Sequence, residues 1–290
     1  MVFTGGDPLK RPDLFQLIEK SVGLGLRTHI SPSASPLLTR EVVRKFKAAG
    51  VARMDLSLNG WDAASHDGFH GAHETFGAAM DALGEARDIG LETQVLTTVT
   101  ERNLWDLNSI AELVERAKAR LWSLYFLPTT PRVPEGEDLT SEEYGQVFEE
   151  LHHISRRASF DIHTTEGVEY LRRAGGKLTV ASGTGKGFVF ISHTGEIHPS
   201  AFLPVSAGNV RYDRLGEVYC NSSLFTILRE AGGHHGTCGG CRSRKVCGGA
   251  RAWAYALTSD QLVDESDYVG LGARSLSGQA IDQIRSNDVF

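Results

Sequence analysis

The sequence predicts an α/β protein built on a parallel sheet or barrel, followed by a smaller C-terminal domain. In the first part of the chain, short β-branched runs alternate with amphipathic stretches, and the pair repeats every ~25–35 residues, which is typical of βα units. After residue 160, glycine-rich turns separate short apolar runs, a pattern that favours hairpins. We therefore expect a first domain over residues 1–165, a second over residues 175–272 and a C-terminal tail over residues 273–290.

Five strands and five helices are expected in alternation. The predicted strands cover residues 2–4, 26–30, 53–58, 91–99 and 121–127. The predicted helices cover residues 12–22, 39–49, 75–89, 104–119 and 140–158. Gly50 and Gly90 follow the second and third helices, at the position where glycine commonly ends a helix. Thr140 and Glu143 have the spacing of a capping box and mark the start of the last helix.

The overall composition excludes several classes of function. The 290 residues carry a net charge of −6 without a basic patch, so nucleic acid is not an expected partner. No apolar run approaches the ~18 residues of a membrane span, and the first residues lack the pattern of a signal peptide. We therefore expect a cytoplasmic protein without a membrane partner, in which clustered cysteines indicate a metal site rather than disulfides.

Three of the four cysteines lie close together among glycines. They are Cys238, Cys241 and Cys247, in the pattern Cys-x2-Cys-x5-Cys. Thiolates in such a loop favour an iron–sulfur cluster or zinc, but a closed site needs four ligands. The sequence does not identify the fourth ligand. Cys220 lies well upstream of the loop, and His234 and His235 come directly before it. A 4Fe–4S cluster, a zinc ion with three cysteines and one histidine, and a loop without metal all remain as alternatives.

An ordered set of segments precedes this loop. The segments are FTGGDP at residues 3–8, THIS at 28–31, DLSLNG at 55–60, HDGFHG at 66–71 and TTVT at 97–100. Together they resemble the radical S-adenosylmethionine (radical SAM) superfamily, and the cysteine loop resembles its auxiliary-cluster domain, called SPASM or, in a shorter form, twitch. The members nearest in pattern are those related to haem biosynthesis and to pyrroloquinoline quinone synthesis protein E. The resemblance implies a partial (β/α)6 TIM-like barrel that lacks its first strand, and a small C-terminal α+β domain that binds an auxiliary 4Fe–4S cluster.

The resemblance also implies which residues bind S-adenosylmethionine. They are Gly5, Gly6, Asp7, Ser57, Asn59, Gln94 and Thr97. The Gly-Gly-Asp run matches the motif for the methionine amino group, and the Ser-Leu-Asn-Gly run matches the segment near the ribose and carboxylate. Asn59 stands where an aspartate is more usual, and His70 stands where relatives often have arginine. The alternative for Ser57, Gln94 and Thr97 is that each one satisfies backbone groups at the end of a strand.

One part of the family pattern is absent from these 290 residues. Radical chemistry in the family depends on a Cys-x3-Cys-x2-Cys loop that binds a 4Fe–4S cluster, whereas the first cysteine of this chain is Cys220. Either the chain begins late or it is a degenerate relative, and its opening inside a strand favours the late start. Val269 stands where some relatives have the last auxiliary cysteine. No catalytic residue is therefore assigned, and we expect the chain as it stands to be inactive.

Three functions remain as hypotheses. The first is a radical SAM enzyme that cleaves S-adenosylmethionine reductively and modifies a peptide or a tetrapyrrole-type small molecule, with an electron donor of the flavodoxin or ferredoxin type. The second is a non-catalytic binding or maturation module derived from that fold. The third is a structural protein stabilised by zinc.

Overall fold

The structure of the chain is a computed structural model that describes residues 1–126, 139–165, 178–180, 186–201 and 203–229. These residues belong to two compact units. The first unit contains Met1–Tyr125 and Gln146–Thr164, and the second contains the hairpin region from Val180 onward. The predicted metal ligands Cys238, Cys241 and Cys247 lie outside the described residues.

The first unit is built on a sheet whose strands follow one another in chain order. The strands are β1 (Val2–Phe3), β2 (His29–Ile30), β3 (Arg53–Ser57), β4 (Glu92–Thr98), β5 (Leu121–Tyr125), β6 (Asp161–Thr164) and β7 (Leu178–Val180). The first six strands pair in parallel with their sequence neighbours, and β7 completes the order. A parallel pair needs a crossover connection, so the sheet accounts for the helices that separate its strands.

Within the described residues, six α-helices lie between these strands. They are α1 (Leu14–Gly23), α2 (Arg40–Ala48), α3 (Ala63–His70), α4 (Thr75–Asp88), α5 (Leu107–Ala117) and α6 (Ser141–Arg157). The α/β class and the parallel sheet predicted from the sequence are confirmed. All five predicted strands and all five predicted helices are present, with bounds shifted by at most about three residues, which is the usual uncertainty of element ends.

Among the described elements of this sheet and its helices, the sequence pattern did not predict α3, β6 and β7. The side chain of Asp62 accepts a hydrogen bond from the backbone nitrogen of Ser65 (2.8 Å), and Ser65 Oγ accepts one from the backbone nitrogen of Asp62 (3.2 Å). This is a capping box in which serine replaces the usual glutamate or glutamine, so the start of α3 is hard to recognise. Strand β6 is only four residues long, and its residues alternate between partly exposed and buried positions. It begins directly after residue 160, where glycine-rich turns start to separate the apolar runs.

The alternation of side chains along the strands divides the sheet into two faces. The outer face carries apolar residues that are at most 1% exposed: Met54, Leu56, Val95, Trp122 and Ile162. The inner face carries mainly polar residues: His29, Arg53, Asp55, Ser57, Gln94, Ser123, Tyr125 and His163. Several inner-face residues remain partly exposed, among them Arg53 and Tyr125. The outer face is therefore the dry core under the helices, and the inner face is polar and partly exposed.

The second unit contains the predicted hairpin. Strands β8 (Phe190–Ile191), β9 (Glu196–His198) and β10 (Gly208–Asn209) form an antiparallel sheet, and α7 (Leu215–Asn221) and α8 (Ser223–Arg229) follow it. Gly195, with φ of +91°, takes the left-handed conformation that the turn between β8 and β9 requires. In the part of the chain that the structure describes, no helix is both long enough and apolar enough to cross a membrane.

Candidate functional site

The turn after β1 lies at the carboxyl edge of the sheet and holds the predicted Gly5, Gly6 and Asp7. Asp7 Oδ1 accepts a hydrogen bond from the backbone nitrogen of Leu9 (3.1 Å) and so caps the short 3-10 helix that follows. Asp7 Oδ2 accepts a hydrogen bond from Ser35 Oγ (2.8 Å). Both glycines are exposed, and no atom lies within 4 Å of the position that a Cβ would take at either one. The backbone of this turn is therefore open to a ligand, while the carboxylate is held in place beside it.

Asn59 follows β3 at the same edge and is only 4% exposed. Its side-chain oxygen accepts a hydrogen bond from the backbone nitrogen of Thr98 (2.8 Å), and its Nδ2 donates to Nε2 of His70 (3.2 Å). Its backbone nitrogen donates to Nδ1 of His66 (3.1 Å), and its backbone oxygen accepts from Nδ2 of Asn103 (2.9 Å). Asn59 therefore joins the loops that follow β3 and β4.

Two histidines of α3 pack against Asn59. The ring of His66 is buried, and its centroid lies 4.6 Å from that of His70. Burial, with a smaller contribution from His70, lowers the pKa of His66 to about 4, and burial also lowers the pKa of His70. Asn59 and His70, the two departures from the family pattern, thus contact each other. The neutral amide of Asn59 faces an imidazole whose pKa is lowered by burial. Gly60 permits this packing, because a Cβ there would lie 2.3 Å from the backbone nitrogen of His66.

Ser57 and Gln94 share the inner face. Ser57 ends β3 and is partly exposed. Gln94 is 6% exposed, and its Nε2 donates a hydrogen bond to Ser123 Oγ (2.7 Å). The other amide atom, Oε1, is buried and has no hydrogen-bond partner among the described residues. A buried polar atom of this kind usually pairs with water or a ligand.

Thr97 lies on the outer face, one residue out of phase with Gln94 and Ser57. Its hydroxyl donates a hydrogen bond to the backbone oxygen of Leu58 (2.7 Å) and accepts one from Nε1 of Trp122 (2.8 Å). The structure therefore does not bring Thr97 together with the other predicted cofactor residues. Its bond to the backbone oxygen of Leu58 agrees with the alternative stated for Thr97 above, in which the side chain satisfies a backbone group at the end of a strand.

The inner face also carries a charged cluster that the sequence analysis missed. Arg53 Nε donates to Asp55 Oδ1 (2.7 Å). Burial raises the pKa of Asp55, and the contact with Arg53 opposes this rise. Burial and the charges of Arg53 and Arg27 lower the pKa of His29 to about 4, and burial lowers the pKa of His163. The cluster is therefore an ion pair beside imidazoles that resist protonation. Its sequence signal was the polar residue at every second position of β3.

These groups fit S-adenosylmethionine but not the catalytic iron–sulfur cluster. The open glycine turn, the Asp7 carboxylate and the unpaired Gln94 Oε1 form a donor and acceptor set suited to an amino acid and a ribose. The four cysteines of the chain contain no Cys-x3-Cys-x2-Cys spacing. Within the described ranges, no group of three or more His, Cys, Asp or Glu side chains is placed to hold a metal ion.

The fold defines a protein of the α/β class, with a parallel sheet and connecting helices. Polar groups suited to binding a ligand lie along the carboxyl edge and the inner face of the sheet. Comparison with known sequences gives the family. The Radical SAM superfamily model matches residues 1–114. The AdoMet-dependent heme synthase of Nitratidesulfovibrio vulgaris is 36% identical over 91% of this chain and 77% of that protein. The PqqA peptide cyclase of Bradyrhizobium diazoefficiens is 26% identical over 89% of this chain and 70% of that protein. The chain belongs to the radical SAM superfamily.

A solved structure supports the fold. The crystal structure of Streptococcus suis SuiB bound to S-adenosylmethionine superposes with a TM-score of 0.69 at 18% identity. The match covers 91% of this chain, and this chain spans 65% of the length of SuiB. At this identity the likeness concerns the fold, and it confirms the partial TIM-like barrel.

Proposed function

We propose that this chain is the cofactor- and substrate-binding part of a radical SAM enzyme that modifies a tetrapyrrole with carboxylate arms. The observation that carries the proposal is the placement of the open Gly5-Gly6 turn, Asp7 and Asn59 along one edge of a parallel sheet. The 36% identity to a protein named AdoMet-dependent heme synthase favours a tetrapyrrole as the substrate class.

In this proposal the carboxyl edge holds S-adenosylmethionine. The Asp7 carboxylate, oriented by Ser35, accepts hydrogen bonds from the methionine ammonium group, and the exposed Gly5-Gly6 backbone allows the close approach that this contact needs. Ser57 and Gln94 offer polar groups to the rest of the cofactor from the inner face. With one electron from a reduced 4Fe–4S cluster, bound S-adenosylmethionine would supply radical chemistry by cleavage of its sulfur–carbon bond into methionine and a 5′-deoxyadenosyl radical.

We further propose that these 290 residues bind the cofactor without cleaving it, since their four cysteines do not include the spacing of the catalytic cluster. Its proposed place is the cytoplasm, and its proposed electron donor, when a catalytic cluster is supplied, is of the flavodoxin or ferredoxin type. Modification of a peptide is a second candidate, favoured by the 26% identity to a protein named PqqA peptide cyclase. A non-catalytic binding module is the third.

The loop of Cys238, Cys241 and Cys247 is proposed to bind an auxiliary 4Fe–4S cluster, with zinc as the alternative metal. The test is metal analysis after anaerobic reconstitution of the full chain. Iron and acid-labile sulfide in a brown protein would support the cluster. One zinc per chain without colour would contradict it, and the variant Cys241→Ser should lose whichever metal is bound.

Calorimetric titration with S-adenosylmethionine tests the cofactor site. The variant Asp7→Asn can still accept from the Leu9 backbone nitrogen through its oxygen and can donate to Ser35 Oγ through its amide nitrogen, but it loses the charge. We therefore expect at least about tenfold weaker binding, the usual value of a charge-assisted hydrogen bond. Asp13→Asn is the matched control, because Asp13 is an exposed acid whose partner is Arg11. Equal affinity in both variants would show that the cofactor does not bind at this edge.

A further inference from the structure

The guanidinium of Arg53 is only partly used by the protein. Its Nε pairs with Asp55, and its side chain is 18% exposed on the inner face. Its two terminal nitrogens have no hydrogen-bond partner among the described residues. A guanidinium has five N–H donors in a planar fork that matches a carboxylate, so most of the donor capacity of Arg53 is unused within the described residues.

A further polar group beside Arg53 lacks a partner within the described residues. His29 lies next to Arg53 in the strand register, and its Nε2 is buried without a hydrogen-bond partner within the described residues.

The surroundings favour a single anionic group. The charge of Asp55 already neutralises Arg53, and burial keeps His29 and His163 neutral, so the cluster offers donors without a large excess of positive charge. A monoanionic carboxylate matches this balance better than a phosphate, which carries up to two charges. The inner face is partly exposed at Arg53, Ser57 and Tyr125, so such a group can reach it.

We propose that Arg53, with His29 beside it, forms a subsite on the inner face that binds a carboxylate arm of the substrate. This inference rests on the proposed function, because it assumes a substrate with carboxylate arms. It assigns Arg53 to substrate binding and leaves the methionine part of S-adenosylmethionine to the carboxyl edge at Asp7. The carboxylate of the cofactor is the other source of the same chemistry.

The test measures the affinity of the full chain for two porphyrins, with absorbance as the signal of binding. Coproporphyrin III has four carboxylate arms, and its tetramethyl ester, in the same detergent buffer, has none. The variant Arg53→Gln/Asp55→Asn replaces the ion pair by a neutral pair that can keep the internal hydrogen bond, which avoids an unpaired buried carboxylate. Arg44→Gln/Glu85→Gln is the matched control, since Arg44 Nε also pairs with a buried carboxylate (2.6 Å), but between α2 and α4.

We expect the Arg53/Asp55 variant to bind coproporphyrin III about tenfold to a hundredfold more weakly, the usual effect of losing a charge-assisted hydrogen bond. Its affinity for the ester and for S-adenosylmethionine should stay as in the unaltered chain, and the Arg44/Glu85 control should behave as the unaltered chain throughout. Equal loss for acid and ester, or loss in the control as well, would overturn the subsite. Weakened S-adenosylmethionine binding with unchanged porphyrin binding would assign Arg53 to the cofactor instead.

Failure of the proposed function gives a different result. If the unaltered chain binds no coproporphyrin III, the tetrapyrrole proposal and the subsite both fail. If it binds coproporphyrin III with the same affinity whether or not Arg53 is present, the subsite alone is overturned. Thermal unfolding of each variant confirms that the comparison is made on folded protein.

Discussion

Acidification from pH 7 to pH 5 should destabilise the first unit through His66. In the folded chain the His66 ring is buried, Nδ1 accepts from the Asn59 backbone, and the pKa is lowered to about 4. In the unfolded chain the pKa returns to its ordinary value of about 6.5. Between these two values the unfolded state binds a proton that the folded state does not. Stability therefore falls as the pH drops through 6.5 and levels off below about 4.

The size of the effect follows from the two pKa values. At pH 5 a pKa of about 6.5 in the unfolded state against about 4 in the folded state costs about 2 kcal/mol of unfolding free energy, and at pH 7 almost nothing. His29 adds a loss of the same sign, because its pKa is also lowered to about 4. The contribution of His66 must therefore be isolated by a variant.

His66→Gln provides that variant, because a glutamine oxygen can still accept from Asn59 but does not titrate. Urea unfolding followed by tryptophan fluorescence, at pH 7 and at pH 5, measures the free energy in each case. The unaltered chain should lose about 2 kcal/mol more than His66→Gln over this interval. His153→Gln, at an exposed position of α6, is the control and should match the unaltered chain. An identical pH dependence in the unaltered chain and His66→Gln would refute the reasoning.

Two further predictions concern the loops and the strands. Gly60→Ala should destabilise the unit by about 1–3 kcal/mol, because its Cβ would lie 2.3 Å from the backbone nitrogen of His66. Gly68→Ala in α3, with no atom within 4 Å of a Cβ, should be neutral or slightly stabilising, and urea unfolding compares the two. Thr97→Val should cost about 1–3 kcal/mol by leaving a buried indole N–H unpaired, without changing the affinity for S-adenosylmethionine. Ser57→Ala should weaken that affinity in calorimetry, and the opposite ranking would restore Thr97 to the cofactor site.

Much of the fold could be predicted from the sequence because local signals coincide with it. Gly50 and Gly90 each have positive φ and end a helix at the expected place, and the β-branched residues of β4 mark the longest described strand of the sheet. Helix α3 escaped prediction because its serine capping box and internal glycine give a weak pattern. These misses concern elements whose stability comes from packing more than from local propensity.

The candidate site was predicted less completely, for a reason of topology. Gly5, Gly6 and Asp7 are consecutive residues shortly after β1, and Asn59 lies two residues after the end of β3. Each therefore belongs to a short local motif that the sequence alone can show. The cluster of Arg53 gathers His29 and His163 from strands far apart in the chain, and only the register of the sheet shows that they share a face. Thr97 shows the reverse case. It belongs to a segment that resembles the family, but the alternation of side chains along β4 places it on the outer face, opposite to Gln94.

The division of the sheet into a dry face and a polar face also bears on how the strands find their partners. A slip of β3 by one residue would carry Arg53 and Asp55 into the apolar layer and expose Met54 and Leu56 to water. An ion pair forced into such a layer costs several kcal/mol, so misaligned pairings are penalised twice. The polar residues therefore act against misfolding as well as offering a place for a ligand. A chain with apolar replacements at Arg53 and Asp55 should retain its secondary structure yet lose the uniqueness of its strand alignment.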